Sequence, residues 1–315
     1  MFFVTPNCRS TLWGGSCLLD VFSETQLPNL AEAWLFSLCP EGESLVGEET
    51  LSMTLKKAGV DEKTRQILPL IKLIDTADLL SVQVHPNDEE AKFFEGEGRG
   101  KNEMWYILSA APDAFIYLNL KSTKENFLKA LRRGVPTDEL EKVSVKAGDI
   151  FPIPAGMVHA LGKGITLLEI QQPSALTYRL WDFMRRDSNG AFRPLHTEKA
   201  KAVLRPFQKE DILAFQFAKG DQKSFVFEGE NEPDFECIAN TPYFRTDILT
   251  STAEKPLEIK AKDKPLILIC LRGEGKVQNT ETTHALSFGK TLCLLPDDGA
   301  VTIEGNMKLA LVSSP

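Results

Sequence analysis

The sequence predicts a mainly β protein whose antiparallel strands close into sandwiches or barrels. Four apolar runs are short, rich in branched and aromatic residues, and bounded by Gly, Pro, Asn or Asp; they lie at 79–84, 103–108, 165–170 and 265–271. Such runs are typical of strands separated by turns. Helical periodicity is confined to a few stretches, so we expect helices only as decorations of a β core.

The helical stretches lie near 48–70, 122–133 and 197–204. The second begins with Ser-Thr-Lys-Glu, which predicts a capping box at Ser122. All three precede residue 205, so we expect the helices to decorate the N-terminal part of the chain.

A polar stretch between Lys219 and Pro233 has little apolar surface to bury and predicts a domain boundary. We therefore expect a catalytic domain over 1–232 and a smaller C-terminal β domain over 233–315. The C-terminal part shows no pairing of histidines and acids that suits a metal, so we expect no metal there.

The composition excludes several classes of function. Of the 315 residues, 43% are hydrophobic and 25% are charged, which is the balance of an ordinary globular protein rather than a disordered or fibrous one. The formal net charge of -8 argues against binding to nucleic acid or to an anionic membrane, since neither attracts an acidic body. An anionic substrate therefore requires a local basic pocket.

The sequence carries no signal for export or membrane insertion. Its first residues lack a cationic segment followed by an apolar core, and no uninterrupted apolar run reaches the length of about eighteen residues that a membrane span needs. We expect a cytoplasmic protein, and the sequence leaves both a monomer and a homodimer open. The six cysteines are scattered without a CxxC pair, so we expect them to be reduced and buried.

A first candidate for chemistry is the segment Ser-Val-Gln-Val-His-Pro at 81–86. Its alternation matches the two-residue period of a strand, so Ser81, Gln83 and His85 share one face. Taken alone, the segment is more typical of the solvated face of an antiparallel strand than of a metal site.

A second segment, at 148–159, follows the pattern of Gly, five residues, Pro-x-Gly, two residues and His. Glycine and proline at these places suit two tight turns, the second of which redirects the chain toward His159. The segment resembles the cupin motif. That resemblance implies two cupin (jelly-roll-like) β-barrels, with His159 pointing into the first of them.

Glu103, which opens the run at 103–108, can add a carboxylate to the two histidines and to the amide oxygen of Gln83. Nitrogen and oxygen donors of this kind suit Zn²⁺ with open positions for water or substrate. Because Gln83 is neutral, the cluster would keep one formal positive charge and remain a good electrophile. An iron-dependent cupin oxygenase is the weaker alternative, because the glutamine ligand argues against it.

Trp-Gly-Gly at 13–15 is followed along the chain by further motifs in the segments 32–37, 80–86, 100–106, 154–159, 169–172 and 177–179. Together, these motifs resemble the type I mannose-6-phosphate isomerase (phosphomannose isomerase) family in its short bacterial form. The resemblance implies zinc-dependent interconversion of mannose 6-phosphate and fructose 6-phosphate through an enediol-like intermediate, as part of mannose metabolism. It also implies one zinc ion per chain, held by Gln83, His85, Glu103 and His159.

Four further residues are candidates for catalysis: Glu32, Lys101, Glu169 and Arg179. Arg179 offers a planar cation for an oxyanion or a phosphate, and Lys101 a contact to phosphate or a proton carrier. Glu32 and Glu169 interrupt apolar strands, where an unpaired carboxylate would be costly. The alternatives are a surface arginine, a solvated lysine and two structural ion pairs.

Ser81, Lys101, Arg179 and Asp182 are the candidates for binding the phosphorylated hexose. We expect His196 and His284 to be structural or solvated, because neither has neighbouring donors at metal-ligand spacing.

One position departs from the family pattern, because Ala175 stands where the family has an aspartate. If that acid takes part in proton transfer or orients Arg179, its loss slows catalysis, and Asp182 is the residue placed to compensate. The sequence therefore leaves a second function open, a sugar-phosphate-binding paralogue with weak or no turnover.

Overall fold

The computed structural model describes residues 1–96, 98–187, 189–219, 223–228 and 234–315. The described chain is mainly β, with antiparallel pairing in the sheets, which confirms the predicted fold class. No helix in the described ranges is long and apolar enough to cross a membrane.

The α-helices are Leu51–Lys57, Glu62–Ile67, Asp88–Glu95, Lys124–Arg132, Thr197–Val203 and Lys209–Gln216. Four of them lie inside the stretches predicted to be helical, and the two at Asp88–Glu95 and Lys209–Gln216 were not predicted. The capping box predicted at Ser122 is wrong: the cap is Thr123, whose hydroxyl accepts a hydrogen bond from Asn126 N at 3.3 Å, while Ser122 Oγ donates to Glu139.

The chain forms two compact units that are interleaved in sequence. The first unit comprises Met1–Asn7, Trp34–Ile71 and Gln216–Pro315, and the second comprises Cys8–Ala33 and Lys72–Phe215. The predicted boundary between 232 and 233 lies outside the described residues.

The first unit contains a nine-stranded sheet around an apolar core of leucine, isoleucine and valine side chains. Its long strands Leu266–Gln278 and Ala300–Ser313 pair antiparallel along most of their length. The N-terminal strand Phe2–Val4 joins this sheet by pairing with Thr291–Leu294. The other strands of the sheet are Phe225–Glu228, Asp234–Asn240, Arg245–Ser251, Leu257–Ala261 and Thr283–Ser287, and a separate hairpin pairs Leu45–Val46 with Glu49–Thr50.

Two sheets carry the residues of interest in the second unit. A five-stranded sheet runs in the order Leu140–Ser144, Phe115–Leu120, His159–Leu161, Val82–Val84 and Tyr178–Trp181. A six-stranded sheet runs in the order Ile150–Ile153, Glu103–Ala110, Ile165–Gln171, Leu70–Thr76, Glu32–Phe36 and Asn7–Arg9. A core cluster that includes Trp105, Ile116 and Leu161 takes side chains from both sheets. The two sheets therefore face each other and share an apolar core.

The six cysteines are all free thiols, as expected, but their predicted burial holds only in part. Cys39, Cys270 and Cys293 are buried, whereas Cys17 is exposed on a turn-rich segment where the backbone N–H of Cys17 donates to Asp75 Oδ2 at 2.7 Å. A polar turn does not offer the apolar surroundings that bury a thiol.

Candidate metal centre

The five-stranded sheet places three polar side chains in a row. In Val82–Val84 both valines are fully buried in an apolar core, so the strand's alternation turns Gln83 to the opposite face. His159 lies directly opposite Gln83 on one neighbouring strand, and Arg179 lies opposite it on the other. Residues directly opposite in a sheet share a face, so these three side chains are neighbours.

His85 reaches the same face from just beyond the strand. The turn at Pro154–His159 packs against it, with Gly156 N donating to His85 O at 2.8 Å. Gly156 has a φ of +92°, and a Cβ there would lie 2.4 Å from Arg205 Nε. Glycine is therefore required at this turn, and the turn sets where His159 begins its strand.

The six-stranded sheet supplies the acids. Glu103 lies opposite Gln171 and Trp105 opposite Glu169, so Glu103, Trp105 and Glu169 share a face. The indole Nε1 of Trp105 donates to Glu169 Oε2 at 2.9 Å. Its ring meets the His159 imidazole edge to face, with centroids 5.4 Å apart, which places this face against the histidines of the five-stranded sheet.

Three of these side chains converge on one point. His85 Nε2 lies 3.5 Å from Glu103 Oε2, and His159 Nε2 lies 3.4 Å from Glu103 Oε1. One ligand atom from each of the three residues lies within 4.8 Å of the others, and all three residues are buried. Apart from the ion pair of Glu103 Oε2 with Lys101, neither His85 Nε2 nor the two carboxylate oxygens have a hydrogen-bond partner among the described residues. Buried polar atoms in this condition are costly unless a further group binds them.

Each imidazole is oriented with its Nε2 lone pair toward the carboxylate. His85 Nδ1 donates to Leu176 O at 2.8 Å, and His159 Nδ1 donates to Met157 O at 2.9 Å. Donation from Nδ1 fixes the tautomer and leaves Nε2 as an acceptor. Burial lowers the pKa of His159 to about 4, and burial together with the charge of Lys101 lowers the pKa of His85 well below its ordinary value. Both rings are therefore neutral at physiological pH.

The donor set fits a zinc ion. Two ligand atoms that each lie about 2.0–2.1 Å from a tetrahedral ion are about 3.3–3.4 Å apart, and the imidazole-to-carboxylate separations are 3.4 and 3.5 Å. Gln83 Nε2 lies 3.3 Å from His159 Nε2, so the amide reaches the same point. A half-turn of that amide would exchange its nitrogen for its oxygen and supply the neutral fourth donor.

A second buried network adjoins the cluster and includes a residue that the sequence analysis did not select. Lys72 Nζ donates to Glu169 Oε1 at 2.9 Å, and both side chains are about 5% exposed. Burial alone would lower the pKa of Lys72, but the charges of Glu169 and Glu32 outweigh it and raise the value. Lys101, also buried, places its Nζ 3.1 Å from Glu103 Oε2. The sequence does contain a signal for this pair. Lys72 is a single cation in an apolar strand and Glu169 is a single acid in another, so each needs a partner of opposite charge if it is buried.

Arg179 lies beside the cluster and is half-buried. Its Nε donates to Ser81 Oγ at 3.3 Å and its Nη1 to Pro194 O at 2.9 Å. The backbone N–H of Arg179 donates to His196 Nδ1 at 3.1 Å, so His196 supports the strand that carries the arginine. Ser81 Oγ also lies 3.5 Å from Gln83 Oε1, which joins Arg179 and Ser81 to the row of polar side chains.

The remaining candidates are less close to the cluster. Both oxygens of Asp182 accept from arginines, Oδ1 from Arg185 and Oδ2 from Arg193, each at 2.6 Å. Glu32 is partly buried and acts on the site through the charge of Lys72. Ala175 precedes Leu176, whose carbonyl accepts the hydrogen bond from His85.

Comparison with known proteins gives consistent results. No family model matches the chain. The mannose-6-phosphate isomerase ManA of Bacillus subtilis (strain 168) is 38% identical over 212 residues, which are 64% of this chain and 67% of that protein. The crystal structure of the mannose 6-phosphate isomerase from Bacillus subtilis superposes with a TM-score of 0.81 at 28% identity, over 99% of this chain and 98% of that one.

A third similar protein is a mannose 6-phosphate isomerase whose crystal structure was solved with zinc and yttrium bound. Its TM-score is 0.72 over 99% of this chain and 98% of that one, at 15% identity. At that identity the likeness indicates a shared fold and no more.

Proposed function

Because the chain belongs to the mannose-6-phosphate isomerase family, we propose that it is a zinc-dependent aldose–ketose isomerase that interconverts mannose 6-phosphate and fructose 6-phosphate. The observation that carries the proposal is the buried convergence of two neutral imidazoles and one carboxylate, in which His85 Nε2 and Glu103 Oε1 have no hydrogen-bond partner among the described residues. The mannose-6-phosphate isomerase of Streptococcus mutans, 38% identical over 216 residues, supports mannose 6-phosphate as a substrate.

In this proposal one zinc ion per chain is held by Gln83, His85, Glu103 and His159. Zinc at these ligands would supply a Lewis acid that polarises an oxygen of the open-chain sugar. With Glu103 as the single anionic ligand, the site keeps a net positive charge toward the substrate. The buried surroundings strengthen that effect, because a low dielectric screens charge poorly.

The chain's own residues supply the proton chemistry that moves hydrogen between C1 and C2 through an enediol-like intermediate. Lys101 is a buried candidate for acid–base catalysis beside the cluster, and Glu169 and Glu32 complete the candidate set. Lys72 pairs with Glu169 and keeps it ionised, so Glu169 acts as an anion rather than a proton donor at neutral pH.

In this proposal Arg179 and Ser81 bind the phosphate of the substrate. A guanidinium beside a hydroxyl provides the positive charge and the hydrogen-bond donors that a phosphate needs. Such a local cation is required because the whole chain has a formal net charge of -8. Asp182 joins this proposal as the residue that holds Arg185 and Arg193 near Arg179, since both of its oxygens are bonded to those arginines.

A coupled assay with mannose 6-phosphate tests the activity. We expect the zinc-loaded protein to turn over, and His85→Ala and Glu103→Gln to lose about a hundredfold or more, which corresponds to several kcal/mol of electrostatic stabilisation. His284→Ala is the control, because His284 belongs to the first unit and packs against Phe3. Equal activity in all four proteins would overturn the metal-dependent reaction. Elemental analysis of the purified protein distinguishes zinc from the iron of an oxygenase.

A second candidate function is favoured by one observation, the alanine at position 175. In a sugar-phosphate-binding paralogue, the site would bind its ligand without efficient proton transfer. Ala175→Asp decides between the two: a large rise in turnover from a parent near zero would support the binding protein. A parent that already turns over at a high rate would exclude it.

A further inference from the structure

Three backbone segments carry the candidate zinc ligands, and they are bonded to one another next to the ligands. Gly156 N donates to His85 O at 2.8 Å, which joins the segments of His159 and His85. Lys101 N donates to Pro86 O at 2.9 Å, which joins the segments of Glu103 and His85. The strand of Glu103 also pairs with Ile150–Ile153, and a further connection to the turn before His159 is made by a side chain.

That side chain is Asn102, which directly precedes Glu103. Its Oδ1 accepts from Ala155 N at 2.8 Å, in the turn that leads to His159. Its Nδ2 donates to Gln172 Oε1 at 2.6 Å, and the backbone N–H of Asn102 donates to the same oxygen at 3.0 Å. Asn102 is 5% exposed, so the amide has these partners in place of water.

Gln172 extends the network to the segment of His85. Its Nε2 donates to Asp88 Oδ1 at 2.9 Å, and that oxygen also accepts from Gly100 N at 2.7 Å. The backbone N–H of Gln172 donates to Asn102 O at 3.0 Å. All four polar side-chain atoms of Asn102 and Gln172 are thus engaged in holding backbone or side chains in place, and none is directed at the ligand atoms of the cluster.

We infer that Asn102 and Gln172 are positioning residues that set the spacing of His85, Glu103 and His159 for metal binding. This inference rests on the proposed zinc site. The paired amides fix the chain immediately before Glu103 against the turn before His159 and against the helix that follows His85. Ligands held by such a network meet the ion without rearrangement, whereas ligands released from it must be ordered when the ion binds.

The test measures zinc affinity by competition with a chromophoric chelator, independently of turnover. Asn102→Ala should bind zinc about 10-fold to 100-fold more weakly than the parent, the range found when groups that orient metal ligands are removed. The matched control is Asn240→Ala, because Asn240 is a buried asparagine of the first unit whose amide donates to Ala218 O at 3.0 Å. That control should lower stability without changing zinc affinity.

The visible absorption of the cobalt(II)-loaded proteins reports ligand geometry directly. Asn102→Ala should change the intensity and position of the cobalt bands, whereas Asn240→Ala should leave them unchanged. Gln172→Glu provides a second variant, in which the side chain keeps nearly the native shape. It replaces the hydrogen bond from Gln172 Nε2 to Asp88 Oδ1 with a repulsion between two carboxylates. Adding Asp88→Asn restores a donor to that contact and should recover part of the lost affinity.

The outcomes separate this inference from the proposed function. A parent that binds no zinc overturns both. A parent that binds zinc, together with Asn102→Ala and Gln172→Glu proteins of unchanged affinity and unchanged cobalt spectrum, overturns the positioning role and leaves the zinc site standing. Weaker binding and altered cobalt bands in these variants, with a normal control, support it.

Discussion

Two buried carboxylates of the site, Glu103 and Glu169, have pKa values displaced in opposite directions. Burial raises the pKa of Glu103 to about 7, and the ammonium of Lys101 offsets only part of that effect. Burial acts on Glu169 in the same direction, but the charges of Lys72 and Lys101 outweigh it and hold the pKa of Glu169 at about 2. At neutral pH Glu169 is a fixed anion, whereas Glu103 exchanges its proton readily when a cation arrives.

Zinc binding to the metal-free protein should release a proton below about pH 7. The Glu103 carboxyl becomes protonated as the pH falls through its raised pKa, and a metal binds only the carboxylate. The histidines add little, because burial keeps the pKa of His159 at about 4 and that of His85 low. We expect the apparent zinc affinity to fall about tenfold per pH unit below 7, which titration calorimetry in buffers of different ionisation enthalpy measures.

Glu103→Gln is the control for this pH dependence, since its amide does not titrate. Its residual zinc affinity should be weaker and nearly flat over the same range. A parent protein with the same affinity at about pH 7 and pH 5 would contradict the raised pKa of Glu103.

Lys72→Met should strongly destabilise the protein, because it leaves the buried Glu169 carboxylate without its cation. Removing one partner of a buried ion pair costs about 3–5 kcal/mol of the free energy of unfolding. In the parent, the folded pKa of Glu169 lies below the ordinary value of 4.5, so its contribution is complete above that pH and is lost as the pH falls toward 2. In the variant, the charge of Lys72 no longer opposes the effect of burial and the pKa of Glu169 rises, so the loss of stability relative to the parent should shrink as the pH falls. Urea unfolding at several pH values measures both effects.

The double variant Lys72→Met with Glu169→Gln controls for packing. An amide oxygen at position 169 can still accept from Trp105 Nε1, and no charge remains buried, so the double variant should regain part of the stability that the single variant loses. A single variant as stable as the parent would show that Lys72 and Glu169 are not coupled.

At the scale of single residues, the local sequence pattern predicts the polar cluster but does not predict Lys72, the buried cation beside it. Strand alternation and the turn motif select Gln83, His85 and His159, and the structure places them on one face. Lys72 was missed because its partner is 97 residues away, and no local pattern encodes a pair of that separation. Asp182 is a predicted substrate-binding residue, and the arginines that bind its oxygens are recognisable only in three dimensions.

At the scale of elements, the predicted strands and helices follow the apolar pattern closely, but the helix Asp88–Glu95 was missed. It is short and mostly polar, and only Ala91 is buried, so it has little periodicity to detect. Its signal was the cap: Asn87 Oδ1 accepts from Glu90 N at 2.8 Å and Glu90 Oε2 accepts from Asn87 N at 2.9 Å. Such a capping box indicates the start of a helix even where the hydrophobic pattern shows no helical periodicity.

Gly100→Ala should disturb the contact between this helix and the strand of Glu103. A Cβ at Gly100 would lie 2.5 Å from Asn87 C and 2.6 Å from Pro86 O, both backbone atoms that cannot rotate away. The two segments must separate, at a cost of about 1–3 kcal/mol of the free energy of unfolding, and the same shift should weaken zinc binding. Thermal unfolding and chelator competition measure the two effects.

Gly98→Ala is the matched control, because a Cβ at that position meets no atom within 4 Å. It should leave stability and zinc affinity close to those of the parent. Equal behaviour of the two alanine variants would contradict the close approach of the Gly100 segment to the backbone at Pro86 and Asn87.

At the scale of the whole molecule, the division into two units was beyond local pattern. The strand Phe2–Val4 pairs with Thr291–Leu294, so the chain's first residues and the segment Trp34–Ile71 belong to the unit of the C-terminal strands. The composition predicts a contiguous catalytic domain over 1–232. Composition shows where the chain becomes polar, but it does not show which distant strands pair with each other. In the part of the chain that the structure describes, the one group of three or more metal-capable side chains lies in the second unit.

Zinc should therefore stabilise the molecule unevenly. A ligand that binds only the folded state adds about 2.7 kcal/mol when its free concentration is a hundred times the dissociation constant. All proposed ligands belong to the second unit, so slower amide hydrogen exchange should appear in Val82–Val84, Glu103–Ala110 and His159–Leu161. The strands Leu266–Gln278 and Ala300–Ser313 of the first unit, which carry no proposed ligand, should exchange at the same rate with and without zinc. A chelator should reverse the protection, His85→Ala should abolish it, and equal protection in both units would contradict a zinc site confined to the second.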